Sequence, residues 1–304
     1  MSSCYYIANK MGELRIMFYN IYGYKWYPDK QNQPHLSSGP IPLRQQMELT
    51  IIKNYAPDVL GMQEYCTAFN NGMTPLLEGE GYTRVDVWHT EQDKYGNKLN
   101  FTPLFYRADK MVLIDRGFFL YDGPNDVNSK SLTWAVFEEL KHHKRFVAIA
   151  THFMYNDPTL AEGVANSTRV ENAKQLLEQI DKIYEKDGGV FDGLPIIIGG
   201  DLNCVFGSDP FVTLKNGGLQ WLYDIAENKN ESAGIKKYAT YDDNIGDYIT
   251  CPTAVTDPKR AIDYMWLKQG KHTRVSVATY ITVTDREASL ASDHCPRFAD
   301  LNLE

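Results

Sequence analysis

Leu194-Pro195-Ile196-Ile197-Ile198-Gly199-Gly200-Asp201-Leu202-Asn203 is the stretch that decides the fold. Three consecutive isoleucines after a proline specify a short strand buried on both faces. Two glycines then let the backbone turn tightly or approach another group closely. A carboxylate and a carboxamide follow, and a buried strand that delivers Asp201 and Asn203 to its end must supply partners or water for both. Taken alone, the stretch fits an Asx turn as well as a functional site.

Around it lies a chain of 304 residues with 43% hydrophobic and 23% charged side chains, enough to bury a large core in one domain spanning 1–304. The formal net charge of −8 provides no global basic field and disfavours nonspecific binding to long polyanions, although a local cationic groove stays compatible with it. The five cysteines, Cys4, Cys66, Cys204, Cys251 and Cys295, form no C-x-x-C pair and indicate neither a disulfide framework nor a zinc ribbon. No basic segment followed by an apolar one opens the chain, and no run approaches the roughly 18 apolar residues of a membrane span. With the unpaired cysteines, this sets a cytoplasmic location as the expectation.

In chain order, Leu14 to Tyr19 forms a strand that ends on Asn20, followed by an aromatic and then Pro/Ser/Gly-rich loop from Tyr22 to Pro40. Pro42 to Tyr55 has helical spacing, with Leu43, Met47, Ile51 and Tyr55 on one face and Pro57 as the stop. Asp58 to Gln63 is a second buried strand, ending on Glu64. Between Tyr82 and Trp134 short β-rich runs alternate with turns as in a meander. Ser131 to Leu140 and Arg145 to Thr151 flank Lys141-His142-His143-Lys144, a solvated hairpin turn far from His152 at the other end of the strand.

The clearest helix starts near Ser167, carries Val170, Ala173, Leu176, Leu177, Ile180 and Tyr184 on one face, and ends at Gly188-Gly189. Ser208-Asp209-Pro210 opens a short helix that Gly217-Gly218 closes. Asn228 to Pro258 is a long polar loop, and strands follow over Ala261 to Leu267, Thr273 to Thr284, and from Pro296 through Leu301.

Several apolar runs thus end on polar residues: Asn20, Glu64, His152, and Asp201 with Asn203, while Asp263 lies in a strand and Asp293-His294 opens the last one. Singly, each is as well explained by structure as by chemistry. Together, Tyr19-Asn20, Gln63-Glu64, Thr151-His152, Gly200-Asp201-Leu202-Asn203, Ile262-Asp263-Tyr264 and Ser292-Asp293-His294 resemble, in order, the motifs of the endonuclease/exonuclease/phosphatase superfamily of DNase I-like phosphoesterases. The likeness covers nearly the whole chain.

The resemblance implies an α/β (α+β) fold, a four-layer sandwich of two mainly antiparallel sheets packed face to face with helices outside and a metal site at the sheet mouths. It further implies Glu64 as the principal ligand of Mg²⁺ or Mn²⁺, with Asn20 and Asp293 beside it. His294 would lie near the scissile phosphate, oriented by Asp263. Asp201 would position or deprotonate the attacking water, and Asn203 and His152 would contact the phosphate. Such a set meets the demands of phosphate-ester hydrolysis, namely an activated water, neutralised phosphoryl oxygens and help for the leaving group.

A phosphodiester of a nucleotide, nucleic acid or lipid is the expected substrate, nucleic acid carrying no strong indication. The alternatives are a phosphomonoesterase acting on an inositol or sugar phosphate, and a catalytically silent binding module with the same fold. The loops Tyr22 to Pro40 and Asn228 to Pro258 are expected to select the substrate.

Overall fold

The computed structural model describes residues 11–23, 41–88, 99–125, 128–230, 232–234, 240–242, 247–250 and 257–304. The aromatic loop therefore lies outside the described residues beyond Gly23, as does much of the 228–258 stretch.

A seven-stranded sheet runs in the order β10-β14-β15-β1-β2-β4-β3. Its strands are β1 (Leu14–Asn20), β2 (Val59–Gln63), β3 (Tyr82–Arg84), β4 (Leu104–Arg107), β10 (Asn228–Lys229), β14 (Val275–Thr282) and β15 (Arg297–Leu303). A six-stranded sheet runs β5-β6-β7-β8-β13-β9. It comprises β5 (Met111–Leu120), β6 (Ser131–Glu139), β7 (Arg145–His152), β8 (Ile196–Asp201), β9 (Gln220–Trp221) and β13 (Asp263–Lys268). A separate antiparallel pair joins β11 (Thr240–Asp242) to β12 (Asp247–Thr250). The pairs β1–β2, β7–β8 and β10–β14 are parallel and the others antiparallel, so both large sheets are mixed.

The helices are α1 (Ile41–Tyr55), α2 (Thr67–Gly79), α3 (Val164–Glu185), α4 (Asp209–Asn216), α5 (Leu222–Ile225) and α6 (Arg286–Ala291). Alternation along the strands sorts side chains into three cores. Ile16 and Phe18 of β1 meet Ala148, Ala150, Ile197 and Met265 between the sheets. Met17 and Tyr19 face outward, against Leu49 and Ile52 of α1, Phe69 and Met73 of α2, and Ala288 of α6. Ile196 and Ile198 face the other way, against Ala173, Leu176 and Ile180 of α3 and Phe211 and Leu214 of α4. The result is the expected four-layer sandwich. Phe18 fits between the sheets because Gly61 and Gly199 leave room for it; a Cβ on Gly199 would sit 2.0 Å from its ring.

The α1 boundary agrees with expectation to one residue, but the buried face differs. Leu43 is 38% exposed, whereas Arg44, Gln45 and Glu48 point inward beside Leu49 and Ile52. The Arg44 guanidinium donates to the carbonyl oxygens of Ala291 (2.6 Å), Tyr22 (2.9 Å) and Ile21, backbone groups at loop ends that no strand or helix satisfies. Demand for donors turned a polar face to the core.

Helix α2 was not read because Pro75 interrupts it; its buried Phe69, Met73 and Leu77 nonetheless keep a four-residue spacing. Helix α3 starts at Val164, one turn earlier than expected. The basic turn at 141–144 is a β6–β7 connection, with His142 close to Glu13 and Glu139 and His143 bonded to Glu138. Cys66, Cys204 and Cys295 are buried free thiols. Among the described residues no helix is long and apolar enough to cross a membrane.

Candidate active site

Register builds the site. In the six-stranded sheet Ser131, His152, Asp201 and Asp263 lie opposite one another on β6, β7, β8 and β13, forming one row across four strands. In the seven-stranded sheet Asn20 pairs with Gln63, so Asn20 and Glu64 leave the ends of parallel strands side by side. The segment between α6 and β15 then brings Ser292, Asp293 and His294 to the same mouth. Ser292 Oγ donates to the Asn20 carbonyl (2.7 Å) and accepts the His294 N–H (3.1 Å), tying this segment to β1.

Backbone conformation aims the side chains. Tyr22, Glu64 and Asn203 all have positive φ (54°, 61° and 49°), a region costly for residues other than glycine and tolerated best by Asn. Gly23 packs so closely on Glu64 that a Cβ there would fall 2.0 Å from the Glu64 carbonyl oxygen, and its N–H donates to Glu64 Oε2 (2.9 Å). Arg44, bonded to both Tyr22 and Ala291, braces this corner from beneath.

Two charge groupings result. On one side are Glu64 and Asp293. Glu64 Oε1 accepts from Asn20 Nδ2 (3.2 Å), and the same nitrogen donates to Asp201 Oδ2 (3.1 Å). Burial and then the neighbouring Asp293 push the Glu64 pKa up. Asp293 Oδ1 is buried without a hydrogen-bond partner. Two half-buried carboxylates, one raising the proton affinity of the other, are the environment a hard divalent cation relieves.

On the other side, His294 Nδ1 lies 2.9 and 3.0 Å from the two oxygens of Asp263, and Arg297 Nη1 lies 3.0 Å from Asp263 Oδ2. Burial works against the imidazolium, but Asp263, Asp293 and Asp201 together outweigh it and hold the His294 pKa well above its usual value. For Asp263, burial acts upward, while His294 and Arg297 win and leave its pKa lowered. His294 Nε2 faces Asp201 Oδ2 at 3.6 Å and Asp293 Oδ1 at 3.8 Å. Burial raises the Asp201 pKa to about 7, His294 opposing and Asp263 adding to the rise. Ligand atoms of Asp201, Asp263 and His294 lie within 4.8 Å of one another and could also enclose a metal. Because Asp263 already has two cationic partners, the Glu64/Asp293 side is the more deficient in positive charge.

Asn203 donates its backbone N–H to Asp201 Oδ1 (2.8 Å) and its amide to the Phe153 carbonyl (3.1 Å), with the amide nitrogen 3.2 Å from His152 Nε2. His152 is buried; desolvation first, then Lys130 and His294, push its pKa well below the usual value, which favours the neutral ring. Every residue singled out from the sequence therefore stands at one mouth. Lys130, Arg44 and Arg297 were not singled out. Lys130 was within reach: folding the hairpin symmetrically about residues 141–144 sets Ser131 opposite His152 and so brings Lys130 to the site.

The chain belongs to the Endonuclease/Exonuclease/phosphatase family, whose model matches residues 17–294. Members of this family are phosphoesterases and nucleases and generally depend on divalent metal. Among solved structures, an endonuclease/exonuclease/phosphatase from Bacteroides vulgatus is 24% identical with a TM-score of 0.67, over 96% of this chain and 99% of that one. A mannosyl-6-phosphatase from Bacteroides thetaiotaomicron shares 19% identity with a TM-score of 0.67, over 95% and 99%. The human Nocturnin catalytic domain, solved with bound sulfate, shares 17% with a TM-score of 0.65, over 96% and 94%. At these identities the likeness carries the fold. No curated protein matches the chain in sequence.

Proposed function

We propose that the protein is a Mg²⁺- or Mn²⁺-dependent hydrolase that cleaves a phosphate ester, with a phosphodiester of a nucleotide, nucleic acid or lipid as substrate, by attack of an activated water. The observation that carries this reading is the meeting, at one mouth, of the Glu64 and Asp293 carboxylates, one oxygen of Asp293 lacking a hydrogen-bond partner, with a histidine held by Asp263 and facing Asp201. Glu64 and Asp293 would hold the metal, with the Asn20 amide bracketing Glu64 against Asp201. A bound divalent ion supplies charge neutralisation at the phosphoryl and leaving-group oxygens.

The chain's own groups do the rest. Asp201, locked by Asn20 and the Asn203 N–H, accepts the proton of the attacking water. His294, held through Nδ1 by Asp263, turns Nε2 toward the reacting phosphate and stabilises charge growing on its oxygens. Asn203 adds an amide donor on the opposite flank. A silent binding module has no use for this arrangement, since carboxylates crowded together and half-withdrawn from water cost a fold stability.

Hydrolysis of bis(4-nitrophenyl) phosphate and of 4-nitrophenyl phosphate, side by side with Mg²⁺, Mn²⁺ or EDTA, tests the reading. Diester cleavage that EDTA abolishes and either metal restores is the expected result, and calorimetry should show Glu64→Gln binding Mg²⁺ at least about tenfold more weakly. Cleavage of the monoester alone would replace the diester reading with the phosphomonoesterase one. Absence of both hydrolysis and metal binding would establish the noncatalytic module instead.

A further inference from the structure

A guanidinium stands in the apolar layer between the sheets, and the mechanism above assigns it no role. Arg297 opens β15, is 2% exposed, and lies opposite Phe18 of β1 and Thr282 of β14. Strand alternation puts it on the face of Ala299 and Leu301, in the core between the sheets, while Phe298 faces the helices. A charge is tolerated there only with well-placed partners.

The first partner is Asp263. Its Oδ2 lies 2.9 Å from His294 Nδ1 and 3.0 Å from Arg297 Nη1. Nothing intrinsic to aspartate fixes the plane of its carboxylate, because rotation about the last bond of the side chain is soft. A guanidinium on one oxygen removes that freedom. Arg297 reaches across from the seven-stranded sheet to Asp263 in the six-stranded one, so the carboxylate that orients His294 is itself oriented from the facing layer.

The second partner is the Ala233 carbonyl, which accepts from Arg297 Nη2. Ala233 belongs to a segment fastened to β14. Asn230 Nδ2 donates to the Thr282 carbonyl (2.8 Å), the Thr282 N–H donates to Asn230 Oδ1 (2.9 Å), and Thr282 Oγ1 donates to the Ser232 carbonyl (3.2 Å). Gly234, at φ +69°, packs so tightly that a Cβ would lie 2.8 Å from Thr282 Cγ2 and 3.0 Å from Arg297 Nη2. This segment begins the 228–258 stretch expected to select the substrate. One guanidinium joins it to the Asp263–His294 pair.

We infer that Arg297 is a positioning residue: it fixes the plane of the Asp263 carboxylate, hence the direction of the His294 ring, and ties both to the seating of residues 232–234. The kinetic consequence rests on the phosphate-ester reading, whereas the orientation is tested without turnover. The probe is the low-field proton NMR resonance of His294 Nδ1–H, assigned by its loss in His294→Ala. It is followed at constant pH in the Mg²⁺-loaded protein for wild type, Arg297→Met, Arg297→Lys and Gly234→Ala.

Wild type shows the resonance, Arg297→Lys keeps it, and folded Arg297→Met broadens it beyond detection as the bond opens to solvent. Gly234→Ala broadens it too, since the added methyl displaces Nη2. With a diester substrate, kcat falls about 10- to 100-fold in Arg297→Met, as expected for a misplaced reacting group, and Arg297→Lys recovers most of it. KM and Mg²⁺ affinity stay within about twofold of wild type. A role confined to stability would lower the urea midpoint but leave the resonance and kcat of the folded variant unchanged. Should Arg297→Met not fold, Arg297→Gln keeps a neutral donor for Ala233 and carries the same test. No resonance in wild type, a sharp one in the folded Met or Gln variant, or a loss carried by KM rather than kcat would each overturn the assignment. A sharp resonance in Gly234→Ala would overturn the link to residues 232–234.

The two readings fail separately. Metal-dependent hydrolysis by wild type, with the resonance unchanged in Arg297→Met, removes only the role of Arg297. A resonance lost in that variant, without any hydrolysis by wild type, leaves Arg297 in place and sinks the hydrolase.

Discussion

His294→Ala lowers turnover of the phosphate ester by about three orders of magnitude or more, and Asp201→Asn does the same, with the fold intact in both. The magnitude follows from what each side chain alone supplies. His294 is oriented by Asp263 at 2.9 Å, faces Asp201 with its other nitrogen at 3.6 Å, and is the group proposed to stabilise charge on the phosphate. Alanine removes both the charge and its direction. For Asp201, asparagine keeps the shape while removing the basicity that the proposed proton acceptor needs. Steady-state kinetics with saturating Mg²⁺, accompanied by circular dichroism and Mg²⁺ titration, checks the result. Near-normal turnover in either folded variant would remove that residue from the mechanism. Retained metal binding in His294→Ala would further assign the ion to the Glu64/Asp293 side rather than to the Asp201/Asp263/His294 cluster.

Gly200→Ala destabilises the protein by about 3 kcal/mol and takes activity with it. Gly200 has φ +148°, a region L side chains rarely adopt, and a Cβ there would lie 1.8 Å from the Thr151 carbonyl oxygen. That oxygen belongs to the backbone of β7, the parallel partner of β8, so it cannot swing aside as a side-chain end could. Relief requires the two strands to separate beside His152 and Asp201, the residues whose pairing sets the site. Urea unfolding, read as a shift of the midpoint at constant slope, measures the loss. An unchanged midpoint would mean that β7 and β8 do not approach as described.

How much of this was readable from sequence differs from residue to residue. Ile196 to Ile198 specified a strand buried on both faces because every side chain there is apolar, and the two cores on either side of β8 bear that out. α3 was legible for the corresponding reason, an apolar stripe at helical spacing. α1 was legible as a helix but not in its facing. Its inward residues include Arg44 and Glu48, and only the carbonyls of Ile21, Tyr22 and Ala291, contributed by distant parts of the chain, explain why a guanidinium belongs there. α2 was hidden by Pro75, a residue whose cost inside a helix is local while the compensating burial of Phe69, Met73 and Leu77 is tertiary.

The site divides along the same line. Local sequence determined which polar residues would stand at the ends of buried strands, since apolar runs and the residues that close them are neighbours in the chain. It also placed the motif series in a family, and with it a sandwich fold. What the tertiary structure alone decided is which of those ends meet. The row from Ser131 through His152 and Asp201 to Asp263 depends on strand register, the bond from Ser292 to Asn20 spans almost the whole chain, and the approach of Lys130 to His152 follows from a hairpin closing far away. Charge, proton affinity and the fit for a cation arise from these encounters, because each is a property of groups brought close together in a medium that screens them poorly.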